Sequence, residues 1–236
     1  MLVFSIILLA TAAILELVLG ARLLWLARVT RGAPELSLGV AFFVDSFAQV
    51  AGALGTQLRG PSAPFAKSIA IVLTVVATGA LLIGVVRVFE QHRPWLVTFA
   101  WALIATVALL QIYMFAGTTE TFDTQFLNGR WVNRCFSALT FLWAASASLR
   151  ARNACLRQMR VGLSSRLEAT RFLLWALAAM AFFSAIALLF ARDVLGMPAA
   201  ISAVAHPFLA LACVTAVWWT FFPPGWLERS LEGAHE

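Results

Sequence analysis

The chain has 236 residues, 62% of them hydrophobic and only 12% charged, with a mean hydropathy of +0.89. A soluble domain averages about half apolar and about a quarter charged, so this composition excludes a disordered chain, a nucleic-acid-binding domain and an ordinary cytosolic enzyme. Seventeen basic residues against eleven acidic ones leave a net charge of +6, and Lys67 is the only lysine.

A membrane span takes about 20 mostly apolar residues. Seven segments meet that requirement: 3–27, 38–56, 68–86, 95–116, 131–149, 172–191 and 199–222. The fifth is the weakest, because Asn133 and Arg134 stand in its first turn. Short runs punctuate the segments, among them Gly32-Ala33-Pro34, Gly60-Pro61, Pro94, Gly196 and Pro223-Pro224-Gly225. The expected fold is all-α: a polytopic seven-transmembrane-helix bundle over residues 1–225, followed by a short tail, 226–236. Met1–Ile7 carries no basic residue, so the first span is read as a retained helix and not as a secretory signal. Cys135, Cys155 and Cys213 are scattered and form no C-x-x-C pair, which fits packing and not metal or disulfide chemistry.

Loop charges set the orientation. With seven spans the odd-numbered connections hold ten basic residues and the even-numbered ones four. By the positive-inside rule the N-terminus lies outside and the C-terminus in the cytoplasm, in the cell (plasma or inner) membrane. The small-residue pairs Ala51-x-x-x-Gly55 and Ala80-x-x-x-Gly84 predict close helix packing within the bundle.

Ionisable residues at membrane depth are costly and point to function. Glu16 sits roughly 16 Å, and Asp45 roughly 11 Å, from the cytoplasmic end of its span at the α-helical rise. Gln49 follows Asp45 by one turn, and Arg22 lies where it can approach Asp45. Consecutive antiparallel helices usually neighbour one another, which allows a shared polar site and leaves open whether the two carboxyls form one. A second constellation lies toward the outside: Gln111 and Tyr113 late in span four, Arg130, Asn133 and Arg134 early in span five, and His206 before Pro207 in span seven. Proline in a helix removes a backbone hydrogen bond, and a polar residue at such a bend suits a cavity wall. The acidic loop 117–128, with Glu120 and Asp123, is placed to cover that cavity.

The stretch from Leu149 to Arg171 carries Arg150, Arg152, Arg157, Arg160, Arg166 and Arg171. Leu156, Met159, Leu163 and Leu167 recur at the spacing of one helical face. A basic surface of this kind contacts anionic lipid headgroups or docks a cytoplasmic signalling partner; no nucleic acid is implied.

Absences narrow the chemistry further. Span seven has no lysine for a retinal Schiff base, which removes rhodopsin photochemistry despite the matching helix count. His206 alone cannot make an intramembrane zinc site or a bis-histidine haem. No phosphate-binding glycine loop and no nucleophile elbow is present. The chain therefore reads as a non-enzyme without cofactor or metal. The expected function is a sensory or signalling receptor with an outward-facing polar cavity. The alternative is a small-solute or proton-coupled transporter or channel using the intramembrane carboxylates.

Overall fold

The structure, a computed structural model, describes residues 2–58, 60, 62–90, 92–116 and 122–227. Arg59, Glu120 and all of the tail beyond Leu227 lie outside the described residues. The described residues form seven helices: α1 (Leu2–Thr30), α2 (Ala33–Gln57), α3 (Ser62–Phe89), α4 (Pro94–Ala116), α5 (Phe122–Met159), α6 (Arg166–Leu195) and α7 (Ala199–Phe221).

Helix ends follow the local chemistry. Pro34 and Pro94 stand in the first turn of α2 and α4, where a missing amide hydrogen does no harm. Ser165 caps α6: its hydroxyl accepts from the Glu168 amide, and the Glu168 carboxylate accepts from the Ser165 amide. Gly196 ends the same helix at φ 69°, in the left-handed conformation that glycine adopts without strain.

Six helices are long and apolar enough to cross a membrane: α1, α2, α3, α4, α6 and α7. This is the build of a polytopic helical membrane protein. The helix α5 is longer than the predicted fifth span at both ends but is not among the six. Its uncharged stretch between Arg134 and Arg150 falls short of the about 20 residues a span takes. Between 131 and 149 its exposed residues are nonetheless Cys135, Leu139, Leu142 and Leu149, an apolar stripe at +4, +3 and +7, while Asn133, Arg134, Ser137, Thr140 and Ser148 are buried.

The expected single helical face from Leu156 to Leu167 is interrupted. Helix α5 stops at Met159 and α6 starts at Arg166, with Gly162 at φ 74° in the turn between them and Leu163 exposed. A residue in that conformation cannot continue a right-handed helix, so Leu163 leaves the stripe.

Two compact units make up the chain, Ala13–Thr140 and Met1–Ala12 with Phe141–Glu236. In the first, α3 packs against both α2 and α4 and buries most of its length. The predicted close packing at Gly55 and Gly84 is present: a Cβ at Gly55 would meet Lys67, and one at Gly84 would meet Leu38. In the second unit α6 packs on α7, with the Trp175 ring edge-on to Phe221, and Phe141 of α5 stacks on Phe182 of α6 at 4.4 Å. Large apolar side chains such as Ile14, Trp25, Val72, Leu109 and Leu177 point outward, which suits helices solvated by lipid and not by water.

The tightest approach is between α1 and α2. A Cβ built on Gly20 would stand 2.5 Å from the backbone nitrogen of Phe43, and one on Gly39 would stand 2.9 Å from that of Leu24. Backbone cannot retreat as a side chain can. Gly20→Leu should therefore lower stability by about 1–3 kcal/mol, the usual cost of overpacking. Gly225→Ala, with open space around it, should change little. Thermal unfolding of both variants in detergent checks the contrast.

Candidate functional site

Glu16 lies in the inward stripe of α1 with Leu19, Gly20, Leu23 and Ala27, and its residue is 1% exposed. An apolar residue is the usual occupant of such a position. The close contact at Gly20 brings this stripe against α2 one turn above Glu16, opposite the face that carries Asp45 and Gln49.

The Gln49 side chain joins the two carboxyls. Its amide nitrogen donates to Glu16 Oε2 at 2.6 Å and to Asp45 Oδ2 at 3.1 Å. A primary amide has two hydrogens and can serve both acceptors at once. Because one nitrogen holds both oxygens, the carboxyls of α1 and α2 stand side by side, one of the arrangements the sequence leaves open. Asp45 and Gln49 are half-buried. Two further acceptors, Glu16 Oε1 and Gln49 Oε1, are buried without a hydrogen-bond partner among the described residues. Arg22 is exposed, away from the inward stripe.

The second predicted constellation is divided. Gln111 is buried, and its amide donates to the Gly129 carbonyl at 2.9 Å and to Asn133 Oδ1 at 2.7 Å. Asn133 in turn donates to the Ile71 carbonyl at 3.2 Å. Farther along the same faces, the hydroxyls of Thr78 and Ser137 are 3.0 Å apart. These contacts form a neutral polar seam joining α3, α4 and the first half of α5. Gly129 makes room for it, since a Cβ there would stand 2.7 Å from Gln111 Oε1.

Tyr113, two residues beyond Gln111, is 68% exposed and faces away from the seam. Arg134 is buried, with its guanidinium 5.3 Å from the Trp131 ring centroid, an attractive cation–π geometry. Arg130 and Lys67 both stand over Phe126, at 5.5 Å and 5.0 Å. His206 is half-buried on α7, in the other compact unit. Asp123 falls within the first turn of α5, and Glu120 lies outside the described residues.

Of the basic connection, Arg152 and Arg171 are half-buried, whereas Arg150, Arg157, Arg160 and Arg166 are exposed. The described residues hold no cluster of three or more His, Cys, Asp or Glu side chains suited to a metal ion. Asn133 emerges as a keystone of the seam. Its signal in the sequence was its place in the polar start of α5, but only the fold gives it Gln111 and Ile71 as partners. Thr78 and Ser137 gave no signal, because hydroxyls in apolar helices usually bond to their own backbone, as Thr74 does to Ala70.

Comparison with protein-family models, with curated proteins and with solved structures returns no match. Chemistry at the site therefore rests on the residues themselves.

Removing the Gln111 amide would leave Asn133 Oδ1 without its donor, while the Gly129 carbonyl keeps its place in the α5 helix. A buried orphan costs about 1–3 kcal/mol. Gln111→Leu should lower the unfolding temperature in detergent clearly, and Tyr113→Phe should stay within about 0.5 kcal/mol of the parent. A double-mutant cycle on Glu16→Gln and Gln49→Leu should give a coupling energy of about 0.5–3 kcal/mol, the range for side chains in one network.

Proposed function

We propose that this membrane protein moves protons or a small cation past the Glu16–Gln49–Asp45 site, acting as a transporter or channel. One observation carries it: two carboxyls from neighbouring membrane helices share a single amide donor, with the acceptors Glu16 Oε1 and Gln49 Oε1 left buried beside them. An amide supplies no charge. A site of five side-chain oxygens at membrane depth, in which one amide nitrogen serves both carboxyls and two acceptors are left over, suits a positive species. A proton or a small hard cation that takes oxygen ligands fits it chemically.

A receptor-like role draws on a different observation, the exposed arginines around the α5–α6 turn, which suit a cytoplasmic partner. It needs an outward polar cavity as well. The Gln111–Asn133 seam supports that requirement poorly, because its amides are spent on holding helices together. Transport is therefore preferred.

The same proposal takes α5 as a seventh span. Its outward face is the apolar stripe Cys135, Leu139, Leu142 and Leu149, and its polar residues turn inward. Seven spans restore the charge pattern that places the N-terminus outside and the α5–α6 turn in the cytoplasm. The chain would then sit in the cell (plasma or inner) membrane, among anionic lipids on the cytoplasmic side, without cofactor or enzymatic activity.

Flux into vesicles containing the purified full chain tests the proposal. Under a pH gradient with a potassium diffusion potential, proton or sodium uptake should exceed that of empty vesicles. Glu16→Gln and Asp45→Asn should each reduce it at least tenfold, and Tyr113→Phe should not. Uptake equal to empty vesicles for protons, sodium and potassium would rule the transport function out.

A further inference from the structure

We infer that the groove between the end of α5 and the start of α6 binds an anionic phospholipid, its phosphate held by Arg152 and Arg166. This rests only on the chain being embedded in a membrane, and is independent of the carboxyl site. The groove has a volume of about 220 Å³ and lies within one compact unit. Two facing helical stripes build it. Arg152, Leu156 and Met159 follow one another at +4 and +3 on α5, while Arg166, Thr170 and Leu173 do so at +4 and +3 on α6. Both spacings place the three side chains on one face. The tight turn at Gly162 and the Ser165 cap fold α6 back so that the stripes meet.

Each stripe joins one guanidinium to apolar side chains, and that combination matches an amphiphile. Neither Arg152 nor Arg166 has an ion-pair partner among the described residues. The stretch from 149 to 171 has six arginines and a single acid, Glu168. That carboxylate is committed to the helix cap, accepting from the Ser164 hydroxyl at 2.6 Å and the Ser165 amide at 3.1 Å. Next to the lining residue Thr170, Arg171 keeps a buried Nε without a hydrogen-bond acceptor. Six arginines against one carboxylate, which attracts Arg171 as well as capping α6, leave an excess of positive charge that fits a phosphate, which arginine binds in a bidentate fork. The apolar part of the groove selects the source. Leu156, Met159 and Leu173 offer an acyl chain a surface that continues into the apolar run of α6 after Arg171, and free phosphate has no use for it.

Native mass spectrometry of the full chain in detergent, titrated with phosphatidylglycerol or phosphatidylcholine, decides the matter. Phosphatidylglycerol should bind at least fivefold tighter than phosphatidylcholine. Arg152→Ala with Arg166→Ala should abolish the preference, whereas Arg157→Ala with Arg160→Ala, exposed and outside the groove, should change it less than twofold. Leu156→Trp, which fills the groove and keeps every charge, should also weaken phosphatidylglycerol at least fivefold; this variant stands in where the double arginine variant does not fold. The site is overturned by equal binding of the two lipids, by equal losses from the two arginine pairs, or by unchanged binding in Leu156→Trp. Displacement of phosphatidylglycerol by millimolar inorganic phosphate would overturn the lipid as its occupant.

Discussion

The backbones of α1 and α2 come close together at Gly20, and the joining of Glu16 to Asp45 through Gln49 follows from that approach. Hydrocarbon offers no water to a buried polar group, so each such group must find its partner within the protein. Two carboxyls on separate helices meet that demand only if the helices approach closely enough for one short amide to reach both. With any side chain at position 20, the Phe43 backbone would have to move away, and Gln49 would lose its hold on Glu16. Packing and chemistry at this seam are one constraint: small residues set the distance, and the distance makes the site.

Two polar groupings in the same unit differ in kind. The seam of Gln111, Asn133, Thr78 and Ser137 is neutral, and its contacts cross between helices α3, α4 and α5. Groups of this sort hold transmembrane helices in register, each contributing about 1 kcal/mol or less. Holding helices together accounts for these contacts, and one acceptor of the seam, Gln111 Oε1, is buried without a hydrogen-bond partner among the described residues. The Glu16–Gln49–Asp45 grouping is different, because helix packing alone would be served more cheaply by apolar residues of the same size. Glu16 stands in an inward stripe with Leu19, Gly20 and Leu23. A carboxyl kept there points to a task beyond packing.

Periodicity and hydropathy made the helices legible, since each predicted span lies within or within a residue of an observed helix. Depth along antiparallel neighbours made a shared site for Glu16 and Asp45 one arrangement the sequence allowed, but the amide that joins them is given only by the fold. Gln49 was visible as a neighbour of Asp45 on its helix, but its part as the bridge was not, since one turn of spacing says nothing about reach across a seam. The grouping of Gln111 with Tyr113 failed for a geometric reason. Residues two apart on a helix point to nearly opposite sides, and here one is buried in the seam while the other is exposed. The turn at Gly162 was hidden because leucine spacing continues through it, although the glycine and the Ser165–Glu168 cap together spell a stop and a restart.

Helix α5 shows why average hydropathy misjudges a span inside a bundle. An average weighs every residue as if it faced lipid, yet lipid meets only the outer stripe. In α5 the exposed residues between 131 and 149 are Cys135, Leu139, Leu142 and Leu149, an apolar set. The residues that depress the average, Asn133, Arg134, Ser137 and Thr140, are buried, and Asn133 and Ser137 are bound to α3 or α4. Asn133 and Ser137, satisfied in this way, carry little of the cost of exposure to hydrocarbon, whereas Thr140 Oγ1 is buried without a hydrogen-bond partner among the described residues. Under the proposed seven-span arrangement, weighing that stripe in place of the average lets α5 enter the membrane, and the basic turn after it would face the anionic headgroups.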